Sequence, residues 1–264
     1  MRWISSWPGF PDGSVLAGLP LRARVELAVQ RTLGQVLSIF WILTGAFLLY
    51  VVMGYRIRDA AEVRSRFRSL IRNDRRPLLI CANHLTMIDS ALVAWALGGS
   101  WWYLFNYSRM PWNLPEQANF SQNRLNRMVV WLVKCIPVSR GGSREKVSGS
   151  LEKVKHVLSR GETALVFPEG GRSRTGRVQA ESATYGVGRV LEAVPECRTV
   201  CVYLRGDHQE SWSTVPRRGD RFSVDFRVIE PRSDHSGLRR ARDLSLQIVG
   251  ELVKMEEEYF ARRK

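Results

Sequence analysis

The pattern of apolar and polar positions begins with one long stretch without charge, residues 32–55. Residues 36–53 within it are almost wholly apolar. As one helix, the stretch would extend about 36 Å at 1.5 Å per residue, enough to cross a hydrocarbon core of about 30 Å. Arg31 and Arg56 flank it on either side. The pattern therefore predicts an N-terminal membrane-anchoring segment within residues 1–56.

Three arrangements of this stretch are compatible with the pattern. It forms a spanning helix, a core helix buried in the protein, or one leg of a helix pair that lies in a single leaflet. Residues 16–21 and 25–29 would supply the other leg of such a pair. Because both flanks are basic, the distribution of positive charge gives no clean orientation. The sequence predicts membrane attachment and leaves open whether the segment spans the bilayer.

After residue 56 the pattern changes to short apolar runs that alternate with helical periodicity. Strands are predicted at residues 77–82, 101–106, 134–138, 163–167, 199–204 and 221–229, the last as an edge strand. Helices are predicted at residues 57–75, 87–97, 125–133, 143–158, 181–193 and 237–262, the first of them amphipathic and basic. This alternation is typical of an α/β fold, a mainly parallel sheet flanked by helices. We expect residues 57–264 to form it as one domain.

Charge and cysteine content narrow the classes of partner and cofactor. Forty Lys and Arg against 25 Asp and Glu give a formal charge of +15, which favours nucleic acid, acidic lipid headgroups or phosphorylated metabolites. The four cysteines form no CxxC pair and no histidine has zinc-ligand spacing to them. Three of them lie in apolar runs, as buried reduced thiols of a cytosolic compartment do. We therefore expect no metal.

A first candidate for chemistry follows the strand at residues 77–82, where the chain reads N-H-x-x-x-x-D with His84 and Asp89. A turn entering a helix would let the carboxylate reach the imidazole, fix its tautomer and leave the other nitrogen as a base near neutral pH. No Ser, Cys or Thr has an obvious claim to be the nucleophile, so the hydroxyl of the substrate itself could attack. Taken alone, the pair also fits a histidine that caps a helix or packs in a junction.

Two arginine-containing glycine turns form the second candidate. Residues 167–173 read F-P-E-G-G-R-S, where glycine permits close backbone approach and Arg172 presents a fork for phosphate. Residues 136–142 read I-P-V-S-R-G-G and offer Arg140 as a further phosphate ligand. The alternative for each is an ordinary glycine-rich turn with an exposed charge.

The order N-H-x-x-x-x-D, I-P-V-x-R-G and F-P-E-G-x-R-S resembles the glycerophospholipid acyltransferase family, which includes the 1-acylglycerol-3-phosphate acyltransferases. The resemblance runs over residues 78–204 and implies a glycerol-3-phosphate acyltransferase-like fold. It implies His84 as the general base and Asp89 as its orienting partner. It also implies a set of acceptor-binding residues, of which the two small ones shape the loop: Arg140, Glu169, Gly170, Arg172 and Ser173.

The resemblance further implies transfer of a fatty acyl group from acyl-CoA or acyl-carrier protein to the hydroxyl of a lysophospholipid, without a cofactor or metal. Lysophosphatidic acid, giving phosphatidic acid, is the first acceptor to expect, and another hydroxylated lipid such as a lyso-ornithine lipid is the alternative. The family works at the cytosolic face of a membrane. The rival is a non-enzymatic basic protein that binds anionic lipid or nucleic acid. Arginines in glycine turns fit a small-ligand pocket better, and no aromatic and basic interleaving indicates nucleic-acid binding.

The chain departs from the family pattern around the acceptor. Ser139 stands where aspartate is common, Thr184 lies near a position where lysine is common, and residues 200–206 lack the usual proline. The loop at residues 107–116 is also unusual. We expect an apolar tunnel for the acyl chain, with Trp101, Trp102 and residues 107–120 in part of its wall; these residues could equally form plain core and surface loop.

Overall fold

The computed structural model of the protein describes residues 18–72, 74, 76–117, 123–138 and 144–263. Within these residues six strands form one sheet. The strands are β1 (Arg56–Ile57), β2 (Leu78–Ala82), β3 (Trp112–Asn113), β4 (Thr163–Val166), β5 (Arg198–Gly206) and β6 (Arg221–Ile229). β2 is buried along its whole length, as expected for a central strand that is covered on both faces.

The sheet is mixed and mainly parallel. Its order is β1-β6-β5-β2-β4-β3. Every neighbouring pair is parallel except β5 and β6, which are antiparallel. The predicted α/β fold with a mainly parallel sheet is confirmed. Because β2, β4 and β5 are adjacent and parallel, the loops that follow them meet at one edge of the sheet, where open α/β folds bind their ligands.

Helices cover both faces of this sheet. They are α1 (Leu21–Val36), α2 (Ser38–Phe47), α3 (Ala60–Arg72), α4 (Asp89–Leu97), α5 (Ser100–Phe105), α6 (Arg124–Leu132), α7 (Arg144–Ser159), α8 (Tyr185–Ala193) and α9 (Gly237–Ala261). One apolar core includes side chains of α7, α8 and α9, and the other includes those of α3 and α4. The sheet lies between these two cores.

Two predicted strands are wrong. Residues 101–106, predicted as a strand because they form a short apolar run, lie mostly in the short helix α5. Gly99, at φ 73°, turns the chain after α4 so that a new helix begins. Residues 134–138 form only isolated parallel bridges, from Cys135 to Asn113 and from Val138 to Glu116. Lys134 has a φ of 58° and Pro137 lacks an N–H, so a continuous ladder cannot form there.

Other differences concern boundaries. α8 begins at Tyr185, after a separate 3₁₀ turn at Ala180–Ser182, where one helix from residue 181 was expected. β6 pairs with β5 on one side and with β1 on the other, but β1 pairs with only two β6 residues, Arg221 and Phe222. The rest of β6 is therefore an edge strand, as predicted. β3 is too short to give a periodic signal and was missed.

The N-terminal apolar stretch is not one continuous helix. α1 and α2 are separated at Leu37 and bent by 64°, and α2 continues through a π-helical turn at Leu48–Val52. Among the described residues no single helix has the length and apolar character to cross a membrane, although the bent pair together meets that criterion. Residues 16 and 17 of the expected second leg lie outside the described residues. The division of the chain after residue 56 stays a prediction.

Candidate active site

The structure brings His84 and Asp89 together at the carboxyl end of β2. Asp89 is the first residue of α4, and its Oδ2 lies 3.0 Å from Nδ1 of His84. The same oxygen accepts the backbone N–H groups of Leu85 at 2.6 Å and Thr86 at 2.7 Å. A carboxylate only accepts hydrogen bonds, so Nδ1 carries the proton and Nε2 is left as the acceptor. This is the arrangement of a general base and its orienting group.

Two further side chains hold this turn, and sequence reasoning did not single them out. Thr86 is fully buried, and its hydroxyl donates to Oδ1 of Asp89. Asn83 bonds the backbone of Leu204 through both amide atoms, at 3.0 Å and 2.8 Å, and so ties the end of β2 to β5. Both residues stand in or beside the N-H-x-x-x-x-D motif, which is the signal that could have found them.

The loop at residues 167–173 contacts both the ring and the backbone of His84. The Phe167 ring stacks on the imidazole with centroids 4.0 Å apart and an interplanar angle of 13°. Oε1 of Glu169 accepts the backbone N–H of His84 at 3.1 Å. Ser173 donates its own backbone N–H to the carbonyl of His84 at 2.8 Å. The loop therefore fixes the backbone of His84 as well as the plane of its ring.

Glu169 is buried beside other carboxylates. Burial raises its pKa to about 7, and the negative charges of Glu256 and Asp89 act in the same direction, while N–H donors from His84 and Gln179 oppose the shift. The family resemblance of the sequence implies that Glu169 contacts the acyl acceptor. The structure directs one of its oxygens to the backbone of His84, and the acceptor contact stays a prediction.

Gly170 and Ser173 maintain the shape of the same loop. Gly170 has a φ of 69°, and a Cβ there would lie 2.3 Å from Cγ2 of Thr184. The Ser173 hydroxyl donates to the carbonyl of Arg177 and lies 3.1 Å from the Thr175 hydroxyl. The Ser173 bonds stay within residues 173–177, and Gly170 leaves room for Thr184, so both residues are placed to shape this part of the chain.

The structure describes one of the two predicted phosphate ligands, Arg172, and does not describe the other, Arg140. Nη1 of Arg172 donates to the carbonyl of Ser213 at 3.4 Å, and its Cζ lies 4.9 Å from the centroid of the Trp212 ring. Arg172 and His84 line the same cavity. Arg140 lies outside the described residues. Its role as a second phosphate ligand stays a prediction.

A cavity of about 570 Å³ extends from His84 and Arg172 into the apolar interior. Its wall is mainly apolar and includes Trp41, Ile42, Gly45 and Leu49 of the N-terminal region, Met87, Ile88, Ala91, Ala94 and Trp95 around α4, Met110, Leu114 and Pro115 of the following loop, and Val130 and Val133 near α6. The loop contribution was predicted. Trp101 and Trp102 are not among the described residues that line the cavity, and Trp101 is 67% exposed.

The cysteines offer no competing nucleophile. Cys81, Cys135 and Cys201 are buried and Cys197 is half-buried. Burial raises the pKa of each thiol, to about 12 for Cys135, so the reactive thiolate is disfavoured. Among the described residues no group of three or more His, Cys, Asp or Glu is suited to hold a metal ion. The hydrogen bond between Asp89 and Nδ1 of His84 leaves Nε2 arranged for general-base activation of a bound hydroxyl.

Comparisons with known proteins bear on this chemistry. The family model described as Acyltransferase matches residues 55–204, more than half of the chain. Among solved structures, the chain is similar to PlsC, the 1-acyl-sn-glycerophosphate (LPA) acyltransferase from Thermotoga maritima. The identity is 16%, the TM-score is 0.43, and the match covers 89% of this chain and 97% of that one. This likeness by itself decides neither fold nor function.

No curated protein sequence matches the chain. The family match spans the strand β2, the His84–Asp89 turn and the loop at residues 167–173. These are the parts whose geometry suits activation of a hydroxyl. The chain belongs to the acyltransferase family, and it is an enzyme rather than a non-enzymatic lipid- or nucleic-acid-binding protein.

Proposed function

We propose that the enzyme is a membrane-bound O-acyltransferase that moves a fatty acyl group from acyl-CoA or acyl-carrier protein to the hydroxyl of a lysophospholipid. Lysophosphatidic acid is the proposed acceptor and phosphatidic acid the product. One observation carries the proposal: His84, with its Asp89 partner, lines a largely apolar cavity of about 570 Å³ together with Arg172.

The cavity supports a substrate that is apolar over most of its length and charged at one end. Its aromatic and aliphatic wall favours a fatty acyl chain. The guanidinium of Arg172 is suited to a phosphate group, which accepts two parallel N–H bonds. His84 lines the same cavity. A carboxylate-bearing lipid such as a lyso-ornithine lipid offers the same fork an alternative anion, so that acceptor is the second candidate.

The reaction then follows from the His84–Asp89 geometry. Nε2 of His84 takes the proton from the acceptor hydroxyl while the oxygen attacks the thioester carbonyl. The tetrahedral intermediate collapses, the carbon–sulfur bond breaks, and the leaving thiolate takes the proton back from the imidazolium. Asp89 stays hydrogen-bonded to Nδ1 and stabilises the positive charge during this exchange.

We also propose that a bilayer covers the exposed apolar face of the N-terminal helices. Large apolar side chains are exposed along both: Leu21, Val25, Val29, Leu33 and Val36 on α1, and Ile39, Phe40 and Phe47 on α2. α1 is fixed to the catalytic body, because Gln30 donates to the carbonyls of Trp131 and Cys135 at 2.7 Å and 2.8 Å. The cytosolic side is favoured because the donor thioesters are cytosolic.

The test is a thiol-release assay on detergent-purified protein. Acyl-CoA and acyl-carrier protein are each offered with lysophosphatidic acid or with a non-phosphorylated lyso-lipid. Release that depends on lysophosphatidic acid is expected. Release only with the other acceptor would move the function to a different lipid.

The matching variant is His84→Ala, which should lower kcat by about a hundredfold to ten-thousandfold. His235→Ala, at an exposed loop histidine away from the cavity, is the control and should keep wild-type activity. Full turnover in a folded His84→Ala enzyme would end the proposed mechanism.

A further inference from the structure

A segment after β5, residues 209–214, lies beside the catalytic turn although the family match ends at residue 204. Ser213 donates its backbone N–H to the carbonyl of Leu85 at 3.1 Å, and Met87 donates to the carbonyl of Thr214 at 3.1 Å. Thr86 and Ser213 form a parallel bridge. The segment therefore lies along the turn between His84 and Asp89 and is paired with it through one isolated bridge and two backbone hydrogen bonds.

The same segment is fixed to the glycine-arginine loop, residues 167–177. Arg205, buried at the end of β5, donates through one guanidinium nitrogen to the carbonyl of Gly176 and through the other to that of Gln209, both at 2.6 Å. Gly176 has a φ of 68°, and a Cβ there would lie 2.2 Å from the carbonyl oxygen of Glu210. The segment is thus held between the two loops that carry the predicted catalytic and acceptor-binding residues.

Trp212 is the side chain through which this segment meets Arg172. The guanidinium lies over the indole with Cζ 4.9 Å from the ring centroid, and Nη1 reaches the carbonyl of Ser213 at 3.4 Å. Within the described part of the chain Arg172 forms no ion pair with a carboxylate. Its charge is therefore available to an anionic ligand, while its orientation comes from the indole face and one long hydrogen bond.

We infer that Trp212 is a positioning residue that holds the Arg172 guanidinium for the phosphate of the acyl acceptor and thereby sets selectivity for phosphorylated acceptors. The inference rests on the proposed function. An arginine side chain has several rotatable bonds, and a phosphate is bound by two parallel N–H groups only when the fork is presented in one plane. An aromatic face below the guanidinium restricts that plane without neutralising the charge.

The first test compares three substitutions at one position. Trp212→Ala should raise KM for lysophosphatidic acid about two- to fivefold with little change in kcat. Trp212→Phe keeps a ring and should stay near wild type, whereas Trp212→Leu keeps apolar volume without a ring and should behave like Trp212→Ala. KM for a neutral acceptor without an anionic group, monoacylglycerol, should not change in any of them. If Trp212→Leu kept the wild-type KM, the indole face would not be used and the inference would be wrong.

Val215→Ala is the matched control, because Val215 and Trp212 are each 44% exposed on the same loop. It should leave both KM values unchanged. Melting temperatures are measured for all variants, so that loss of fold is separated from loss of orientation. An equal rise in KM for lysophosphatidic acid and for monoacylglycerol would indicate a merely structural role and overturn the inference.

A double-mutant cycle separates this inference from the proposed function. Arg172→Ala should raise KM for lysophosphatidic acid more than Trp212→Ala does, and the double variant should match Arg172→Ala alone. Independent, additive effects would refute a role of Trp212 through Arg172. If Arg172→Ala left KM for lysophosphatidic acid unchanged, the proposed phosphate site itself would fail, whatever Trp212 does.

Discussion

The imidazole of His84 is constrained on three sides before any substrate arrives. Asp89 holds Nδ1, Phe167 covers one ring face, and the loop at residues 167–173 bonds both backbone groups of His84. Such a base loses little orientational freedom on reaching the transition state, which is how a positioned group gains catalytic efficiency. The pairing with Asp89 determines the tautomer and is therefore the contact to test.

Asp89→Asn should keep the shape of the turn and remove the negative charge beside Nδ1. The Oδ2 position also accepts the N–H groups of Leu85 and Thr86, so the amide oxygen stays there and Nδ1 keeps its proton, while the imidazolium loses its anionic partner. We expect kcat to fall about tenfold or more with a smaller change in KM. Steady-state kinetics measure this, with Asp243→Asn on α9, away from the cavity, as the control. An Asp89→Asn enzyme with wild-type kcat would show that the charge of Asp89 does not assist His84.

The buried carboxyl of Glu169 gives a pH-dependent prediction. Its pKa rises from 4.5 to about 7 on folding, so between these values the native state binds more protons than the unfolded state. The contribution of Glu169 to stability is therefore present below about pH 4.5 and is lost as the pH rises through 7. Glu169→Gln still accepts the His84 N–H. We expect this variant to be more stable than wild type at pH 8 by about 1–3 kcal/mol and to lose that advantage near pH 4.5.

Urea unfolding of both proteins at pH 4.5, 6 and 8 measures this difference. All other titrating groups are the same in both proteins, so the difference between their free energies of unfolding reports on Glu169 alone. A difference that stays constant over this range would show that Glu169 does not change its protonation on folding.

The crossing of α8 and α9 depends on a single glycine. A Cβ on Gly188 would lie 1.8 Å from the carbonyl oxygen of Ala241, and the Gly188 N–H donates to the Ser245 hydroxyl at 3.0 Å. The two helix backbones are in contact at this point. α9 also carries Glu256, whose Oε2 accepts the backbone N–H of Val178 beyond the glycine-arginine loop, so a shift of α9 would reach the active site.

Gly188→Ala should therefore destabilise the protein by about 2 kcal/mol or more, because a backbone contact cannot yield by a change of rotamer. Gly186→Ala in the same helix is the matched control, since a Cβ there meets nothing within 4 Å. Alanine is the better helix former, so this control should be neutral or stabilising by up to about 1 kcal/mol. Thermal unfolding compares the two, and equal effects would disprove the close crossing.

The parts of the fold that could be predicted are those with a strong local signal. β2, β4 and β5 are continuous apolar runs, and α7 and α9 have clear helical periodicity. α5 could not be distinguished from a strand because its aromatic residues favour either structure, and the chain reversal at Gly99 decides the outcome. The bend between α1 and α2 falls at Leu37, which is neither proline nor glycine, so no residue type marks it in the sequence.

The candidate site likewise contains residues that the sequence predicts and residues that it does not. His84, Asp89 and Arg172 stand in short motifs whose residue types indicate their chemistry. Trp212 could not be found, because it lies in no such motif. Arg205 lies in the segment at residues 200–206 that was compared with the family, but its residue type does not indicate its contacts. Both contact loops that meet only in the folded chain. A sequence pattern can predict which residues react, whereas the residues that orient them depend on tertiary contacts.

The N-terminal helices and the α/β body form the cavity together. Arg31 of α1 lies 3.0 Å from a carboxylate oxygen of Glu162, which also binds the buried ammonium of Lys134 at 2.9 Å. Burial lowers the pKa of Lys134 to about 8, and the charge of Glu162 opposes that shift. This buried cluster ties α1 to the sheet, and α2 then supplies one wall of the cavity. The part of the chain that we propose to face the membrane thereby also lines the cavity that we propose for the acyl chain.

Gly45 of α2 is the position from which this shared wall can be tested. It lines the cavity, and a Cβ there meets nothing within 4 Å, so a large side chain would extend into open space rather than into packed atoms. Gly45→Phe should therefore shorten the cavity without unfolding the helix. We expect kcat/KM for a palmitoyl donor to fall about tenfold or more while that for an octanoyl donor is retained. Gly149→Phe, at an exposed and equally open position of α7, is the control and should leave the ratio unchanged. A Gly45→Phe enzyme that lost activity equally with both donors would show that the chain does not enter the cavity along α2, because only a ligand that occupies the filled space can discriminate by its length.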